Sequence, residues 1–238
     1  MSNEPLHTAW TFICSAQQAG PDETVRRKCL DYLAETYREP VRVMMRVWGI
    51  RDEDKLDDRV QEYFTRFLEK NWLDSLDRDR GRLRGFLRTS VRNFLFVERD
   101  KSIARRKHVD GSHEQDDEGT PQTPEGVDAE TADREFDRAW AREVMRNALT
   151  RFCEHCEKRN LNHYRTAFER HILDPGRFGN PSQEETAKHL NVTAKDVRNY
   201  VHRAKELFTS TVRAVIRETV NEDSEVDREL AELKRYLG

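Results

Sequence analysis

SQEETAKHLNVTAKDVRNYVHRAKELF, residues Ser182 to Phe208, decides how the rest of the chain is read. Ser182 followed by Glu185 has the spacing of a capping box, in which each side chain satisfies the other's backbone N–H at a helix start. Thr193 and Asp196 repeat that spacing eleven residues on. Between them, Leu190 closes the first helix onto a core. Asn191 stands where a very tight turn needs a left-handed backbone, which asparagine tolerates. Ala187 is small where two crossing helices would touch, Val192 tucks under the turn, and Val197 and Val201 give the second helix a buried stripe, with Tyr200 and Ala204 beside it. The spacing predicts a helix-turn-helix. Its second helix carries Lys195, Asp196, Arg198, Asn199, His202 and Arg203 as candidate DNA contacts. Asn199 suits adenine and Lys195 suits guanine acceptors, whereas Arg198, Arg203 and Lys205 suit phosphates. The plainer reading of the same stretch is a helical hairpin with a solvated basic face.

The 238 residues suit two small domains or one large one. Charged residues make up 37% and hydrophobic residues 36%, so modest cores sit beneath a highly charged surface. The net charge of −3 carries little information, because the charges are unevenly placed. Ten glycines and seven prolines, set among stretches rich in Leu, Arg, Glu and Ala, point to helix. No apolar run reaches the roughly 18–20 residues of a membrane span. No signal peptide is read at the N-terminus, and four sparse cysteines argue against a disulfide scaffold, so a reducing cytoplasm and no membrane contact are expected.

Apolar residues recur at helical spacing upstream. Cys29, Leu30, Leu33, Tyr37, Val41, Met44, Met45 and Trp48 form one stripe, which Pro40 is expected to bend or interrupt and Gly49 to end. Leu56, Val60, Phe64, Phe67 and Leu68 form a second, and Leu83, Phe86, Leu87, Val91, Phe94 and Leu95 a third. Along that third helix Arg84, Arg88, Arg92, Asn93 and Arg99 turn to other faces, and Lys101, Arg105, Arg106 and Lys107 extend the charge, a pattern suited to a phosphate backbone. Trp72, at the mouth of the preceding loop, is placed to receive an unstacked base. The helix from Leu56 mixes acidic, polar and apolar residues and reads as a protein-docking face. Residues 110–137 hold eleven acidic side chains, with little to bury. They are expected to be a flexible acidic linker, either a solvated tether or a segment that masks a basic surface until a partner arrives. Helical spacing resumes at about Phe136, DPGRFGNP breaks it before Ser182, and Val226, Leu230, Leu233 and Leu237 close the chain with a last amphipathic helix. The expected fold is all-α: two helical domains, 1–108 and 138–238, joined by a linker at 109–137.

At this point a resemblance becomes specific. DRVQEYFTRFLEKNWL resembles the DLxQExFxRLL helix of bacterial RNA polymerase sigma factors. RGRLRGFLRTSVRNFLFVERDKSIARRK resembles the segment that follows it, and EETAKHLNVTAKDVRNYVHRAKELF resembles the C-terminal helix-turn-helix, including its V-[KR]-x-x-x-H-R-A core. The stretches TAWTFICSAQQAG and DRDRGRLRGFL are most similar to the compact two-domain, extracytoplasmic-function type. The resemblance implies core RNA polymerase as partner through its β′ clamp and β flap, together with promoter DNA, and leaves room for an anti-sigma factor. It implies that Asp58, Gln61, Glu62 and Arg66 bind polymerase, that Trp72, Arg84, Arg88, Arg92 and Asn93 read and melt the −10 element, and that Lys195, Asp196, Arg198, Asn199, His202 and Arg203 read the −35 element. It implies neither enzyme activity nor a cofactor, because the polymerase performs the chemistry. Asn191 departs from the usual glycine of the turn, the linker is unusually acidic, and the tail after Val220 runs past the family's usual end.

Two other readings stand beside it. A dimeric helix-turn-helix regulator would bind a palindrome without replacing the polymerase's specificity subunit, but it leaves the basic helix from Arg82 to Lys107 unexplained. The CEHC at Cys153–Cys156 would be a zinc or redox site, but a single pair provides too few ligands for zinc, and plain packing is the expectation. The chain has no glycine-rich phosphate loop, no nucleophile elbow and no convincing catalytic carboxylate pair.

Overall fold

The computed structural model describes residues 23–69, 83–110, 128–220 and 223–237. Among these, every regular element is a helix. The α-helices are α1 (Glu23–Val47), α2 (Glu53–Glu69), α3 (Leu83–Asp110), α4 (Ala129–Lys158), α5 (Asn162–Phe168), α6 (Gln183–Leu190), α7 (Ala194–Thr219) and α8 (Asp223–Leu237). A π-helical turn, Glu169–Leu173, follows α5, and a 3-10 turn, Gly176–Phe178, follows that. The fold is all-α, and no helix among the described residues is long and apolar enough to cross a membrane.

The chain divides into two compact units. The first joins residues up to Glu143 with Glu218–Gly238. Its core is built from the three apolar stripes. Leu33, Tyr37, Val41, Met44 and Met45 of α1 are buried with Leu56, Val60, Tyr63 and Phe67 of α2 and Leu83, Leu87, Val91 and Phe94 of α3. Spacings of three and four keep each set on one helix face. Tyr63 sits at the centre, edge-on to Phe64 and Phe94 at 5.1 and 5.6 Å, and its hydroxyl shares a 2.5 Å hydrogen bond with Ser90. Burial pushes that hydroxyl's pKa far above the ordinary tyrosine range. Pro40 is buried inside α1, and the helix continues through it rather than stopping. Gly49, expected to end the helix, takes φ +101° just beyond it and donates to the Arg46 carbonyl at 3.0 Å.

This unit reaches further along the chain than the sequence suggests. Residues 129–137, expected to belong to the linker, are the first turns of α4. Asp128 starts that helix by accepting the N–H groups of Glu130 and Thr131 at 3.0 and 3.2 Å. Ala132, Phe136, Asp137, Ala139 and Trp140 are then buried. The C-terminal helix α8 also belongs to this unit, through buried Val226, Glu229 and Leu233, and not to the unit of residues 144–217 as its sequence position suggests. Phe136 lies 6.5 Å from Tyr37, and that packing, with the apolar side chains around it, is what an acidic composition conceals.

The second unit spans Val144–Arg217. Phe152, Cys156, Phe168 and Ala204 form its centre, with Leu149, Cys153, Leu161, Tyr164, Ile172, Leu207 and Phe208 packed around them. Phe168 stands 4.9 Å from both Phe152 and Phe208. Burial pushes the Cys153 and Cys156 thiols up, away from the thiolate that metal binding or redox exchange requires. Among the described residues no group of three or more His, Cys, Asp or Glu could hold a metal ion.

Candidate nucleic-acid interface

Helices α6 and α7 meet across a three-residue turn whose geometry is fixed by side chains at both ends. Ser182 Oγ accepts the Glu185 N–H at 3.1 Å, and Glu185 Oε2 accepts the Ser182 N–H at 2.6 Å. At the start of α7, Thr193 Oγ1 accepts the Asp196 N–H at 3.2 Å, and Asp196 Oδ2 accepts the Thr193 N–H at 3.0 Å. Both reciprocal pairs read from the sequence are therefore formed. Asn191 between them takes φ 54° and ψ 49°, and Val192 donates to the Ala187 carbonyl at 3.0 Å. Ala187 of α6 and Val197 of α7 are both buried.

That packing fixes which face of α7 points outward. Lys195, Arg198, Asn199, His202, Arg203 and Lys205 are exposed, while Val197 and Ala204 are buried. Positions 195, 198, 199 and 202 share one helix face. From 195 to 206 the helix carries four Lys or Arg against Asp196 and Glu206. Glu206 meets Arg203 at 3.2 Å and His202 at 3.4 Å. Asp196 is half-buried, and its carboxylate caps the helix start.

Sequence reading missed what supports this turn from behind. Thr186 is fully buried on α6, and its hydroxyl lies 3.0 Å from His171 Nε2 and accepts Arg170 Nε at 3.3 Å. Burial, reinforced by the Arg170 charge, holds His171 below the usual histidine range. A threonine set among polar residues is the only sequence signal that marks position 186. Phe178 lies beneath the guanidinium groups of Arg170 and Arg177, at 5.1 and 5.8 Å.

In the first unit, Trp72 lies outside the described residues, as do the side chains of Arg99, Lys101, Arg105, Arg106 and Lys107. Asn93 is exposed. The three arginines of the expected DNA face are not free. Arg84 is buried, 2.8 Å from Asp137 Oδ1 and 3.2 Å from Glu229 Oε2, with its guanidinium 4.3 Å from the Trp140 ring centre. Burial alone would lower its pKa, but the Glu229 and Asp137 carboxylates outweigh burial and hold the charge in place. Arg88 donates to Asp137 Oδ2 at 2.7 Å, and Arg92 grips both oxygens of Asp133 at 2.7 and 2.8 Å. The Tyr236 hydroxyl donates to the same Asp137 oxygen that Arg88 uses, at 3.1 Å. On α2, Asp58 and Gln61 are exposed, while Glu62 and Arg66 are half-buried and bonded to each other. Arg66 also lies 5.2 Å from the Phe94 ring centre, which anchors it to the core.

Compared with protein-family models, with curated proteins and with solved structures, the chain matches none.

The caps make one pH prediction. Hydrogen bonds from Thr193 hold Asp196 below the ordinary aspartate range, and those from Ser182 hold Glu185 below the ordinary glutamate range. Each folded pKa lies below its unfolded value. The stabilisation is therefore complete above the ordinary carboxylate range and fades as pH falls through the folded value. Asp196→Asn removes one of these titrations. Its melting temperature should fall less steeply in acid than that of the parent chain, as thermal melts followed by circular dichroism would show.

Proposed function

We propose that this chain is a sigma factor of bacterial RNA polymerase, of the extracytoplasmic-function type, which binds core enzyme and directs it to promoters. The observation that carries the reading is the pair of doubly capped helices at 182–208, which present Lys195, Arg198, Asn199, His202 and Arg203 outward on one surface. Read as a helix-turn-helix, α7 enters the major groove with its N-terminal half against base edges. That surface is where the sigma-like motif would place −35 contacts. The stretch that resembles a polymerase-docking helix falls on α2, where Asp58 and Gln61 are exposed beside the Glu62–Arg66 pair, and this supports the reading. The −10 reading falls on α3, with Asn93 exposed and the arginines held by carboxylates.

The mechanism is a two-point grip. Each DNA-binding surface alone is weak and sensitive to salt. Core polymerase fixes both on one promoter, so their affinities combine through effective concentration. Trapping an unstacked base by the −10 surface turns binding energy into strand opening, at a cost of a few kcal/mol per step. The test is to mix the purified full chain with core RNA polymerase and map transcript starts. Association with core enzyme and new, sequence-defined start sites are expected, with only weak binding of promoter duplex by the chain alone. A dimer by light scattering that binds a palindrome tightly without polymerase would overturn the proposal.

A further inference from the structure

We infer that the −10 surface of α3 is masked by the chain's own carboxylates, and that those carboxylates, on α8 and the first turns of α4, must release the α3 arginines one by one before α3 can take full hold of single-stranded DNA. This rests on the proposed function, since it concerns how that same surface is regulated.

Arg84, Arg88 and Arg92 stand four residues apart and so form one stripe along α3. Three carboxylates from two distant segments meet that stripe: Asp133 and Asp137 from α4, and Glu229 from α8. A carboxylate and a phosphate offer a guanidinium the same pair of acceptor oxygens. The two therefore compete for the same donors, and Arg92 Nη2, 2.7 and 2.8 Å from the two oxygens of Asp133, is committed to that carboxylate. The mask is fastened by more than charge. Ala132, Phe136 and Trp140 on α4, and Val226 and Leu233 on α8, are buried in the same unit. Salt alone does not lift such packing. A partner that binds the opened form more tightly does, and in the proposed function core polymerase is that partner. The pairs are graded. Arg92 and Asp133 are 31% and 26% exposed, whereas Arg84 and Asp137 are 8% and 3% exposed. Opening therefore begins at Arg92, beside the exposed Asn93, and ends at Arg84.

The graded exposure selects the variant. Asp133→Asn removes the outermost carboxylate charge and leaves the buried pairs intact. The full chain and this variant are titrated against a fluorescein-labelled single-stranded oligonucleotide at several salt concentrations, with circular dichroism melts as the check on folding. The variant should bind roughly tenfold tighter, the effect of one freed charge-assisted hydrogen bond. The slope of log affinity against log salt should steepen by about 0.7, one phosphate's worth for a single strand. Adding Arg92→Ala to Asp133→Asn should remove both gains, which mere loosening of the helix would not. Unchanged affinity and slope in a folded Asp133→Asn chain overturn the mask.

Hydrogen exchange on the unsubstituted chain gives a second readout. Backbone amides of 129–137 and 223–237 should exchange faster in the complex with core polymerase and the oligonucleotide. Unchanged protection in a DNA-bound complex also overturns the mask. The two proposals fail separately. A chain that ignores core polymerase yet gains single-strand binding on Asp133→Asn loses the sigma reading and keeps the mask. A chain that redirects polymerase while Asp133→Asn changes nothing keeps the sigma reading and loses the mask.

Discussion

Asp137→Ala should lower the unfolding free energy by about 3–5 kcal/mol, the range for removing one partner from a buried ion pair. Asp137 is 3% exposed, is ion-paired with Arg84 at 2.8 Å, and accepts from Arg88 at 2.7 Å and from the Tyr236 hydroxyl at 3.1 Å. Its loss leaves Arg84 buried with Glu229 as its remaining carboxylate in this cluster, and returns no hydration to the guanidinium. The cost is therefore that of an under-compensated buried charge, not merely that of a missing hydrogen bond. Against the roughly 5–15 kcal/mol of a typical domain, this is a large fraction. Urea titration followed by tryptophan fluorescence reports it, because Trp140 lies against Arg84 in the same cluster. Asp137→Asn keeps the shape but loses the charge, and should fall between the parent and the alanine variant. A shift under about 1 kcal/mol for Asp137→Ala would mean that the pair is no better than an exposed one.

That cluster marks where sequence reading stops. The stripes of α1, α2 and α3 are legible because their period is local, and every buried position among Leu33, Tyr37, Val41, Met44 and Met45 follows from it. The turn at 182–208 is legible to the level of single hydrogen bonds for the same reason: Ser182 and Glu185, or Thr193 and Asp196, are three residues apart. The ion pairs of α3 are different in kind. Arg92 reaches 41 residues to Asp133, Arg88 reaches 49 to Asp137, and Arg84 reaches 145 to Glu229. Nothing in the neighbourhood of an acidic residue says whether water or a distant arginine will face it. Residues 128–137 read as a tether because acidic side chains dominate them, yet Ala132 and Phe136 sit among those charges at helical spacing and set the packing. The arginines are legible as a stripe but not as an occupied one.

The sharpest functional prediction concerns a residue that is exposed and adds little to the fold. If the chain is the sigma factor proposed above, Asn199→Ala should cut polymerase-driven initiation from a −35-dependent promoter by roughly 5- to 150-fold, the equivalent of about 1–3 kcal/mol for one bidentate base pairing. Val197 and Ala204 are buried and turn Asn199 outward, so the carboxamide is available to pair with the N6 and N7 edge of adenine. Because the side chain is exposed, its truncation should leave stability within about 0.5 kcal/mol of the parent. Loss of function and retention of fold should therefore appear together, as transcription assays and thermal melts on the same preparation would show. The comparison with Arg198→Ala separates reading from gripping. Removing a base-reading side chain at Asn199 relaxes the requirement at one promoter position, so initiation from a panel of point-substituted −35 elements becomes indifferent at that base. If Arg198 holds a phosphate, as proposed, its removal should weaken every promoter alike and lower the salt slope by about 0.9. If Asn199→Ala instead weakens all −35 variants equally, α7 holds the backbone without reading bases, and sequence choice must come from elsewhere on the chain.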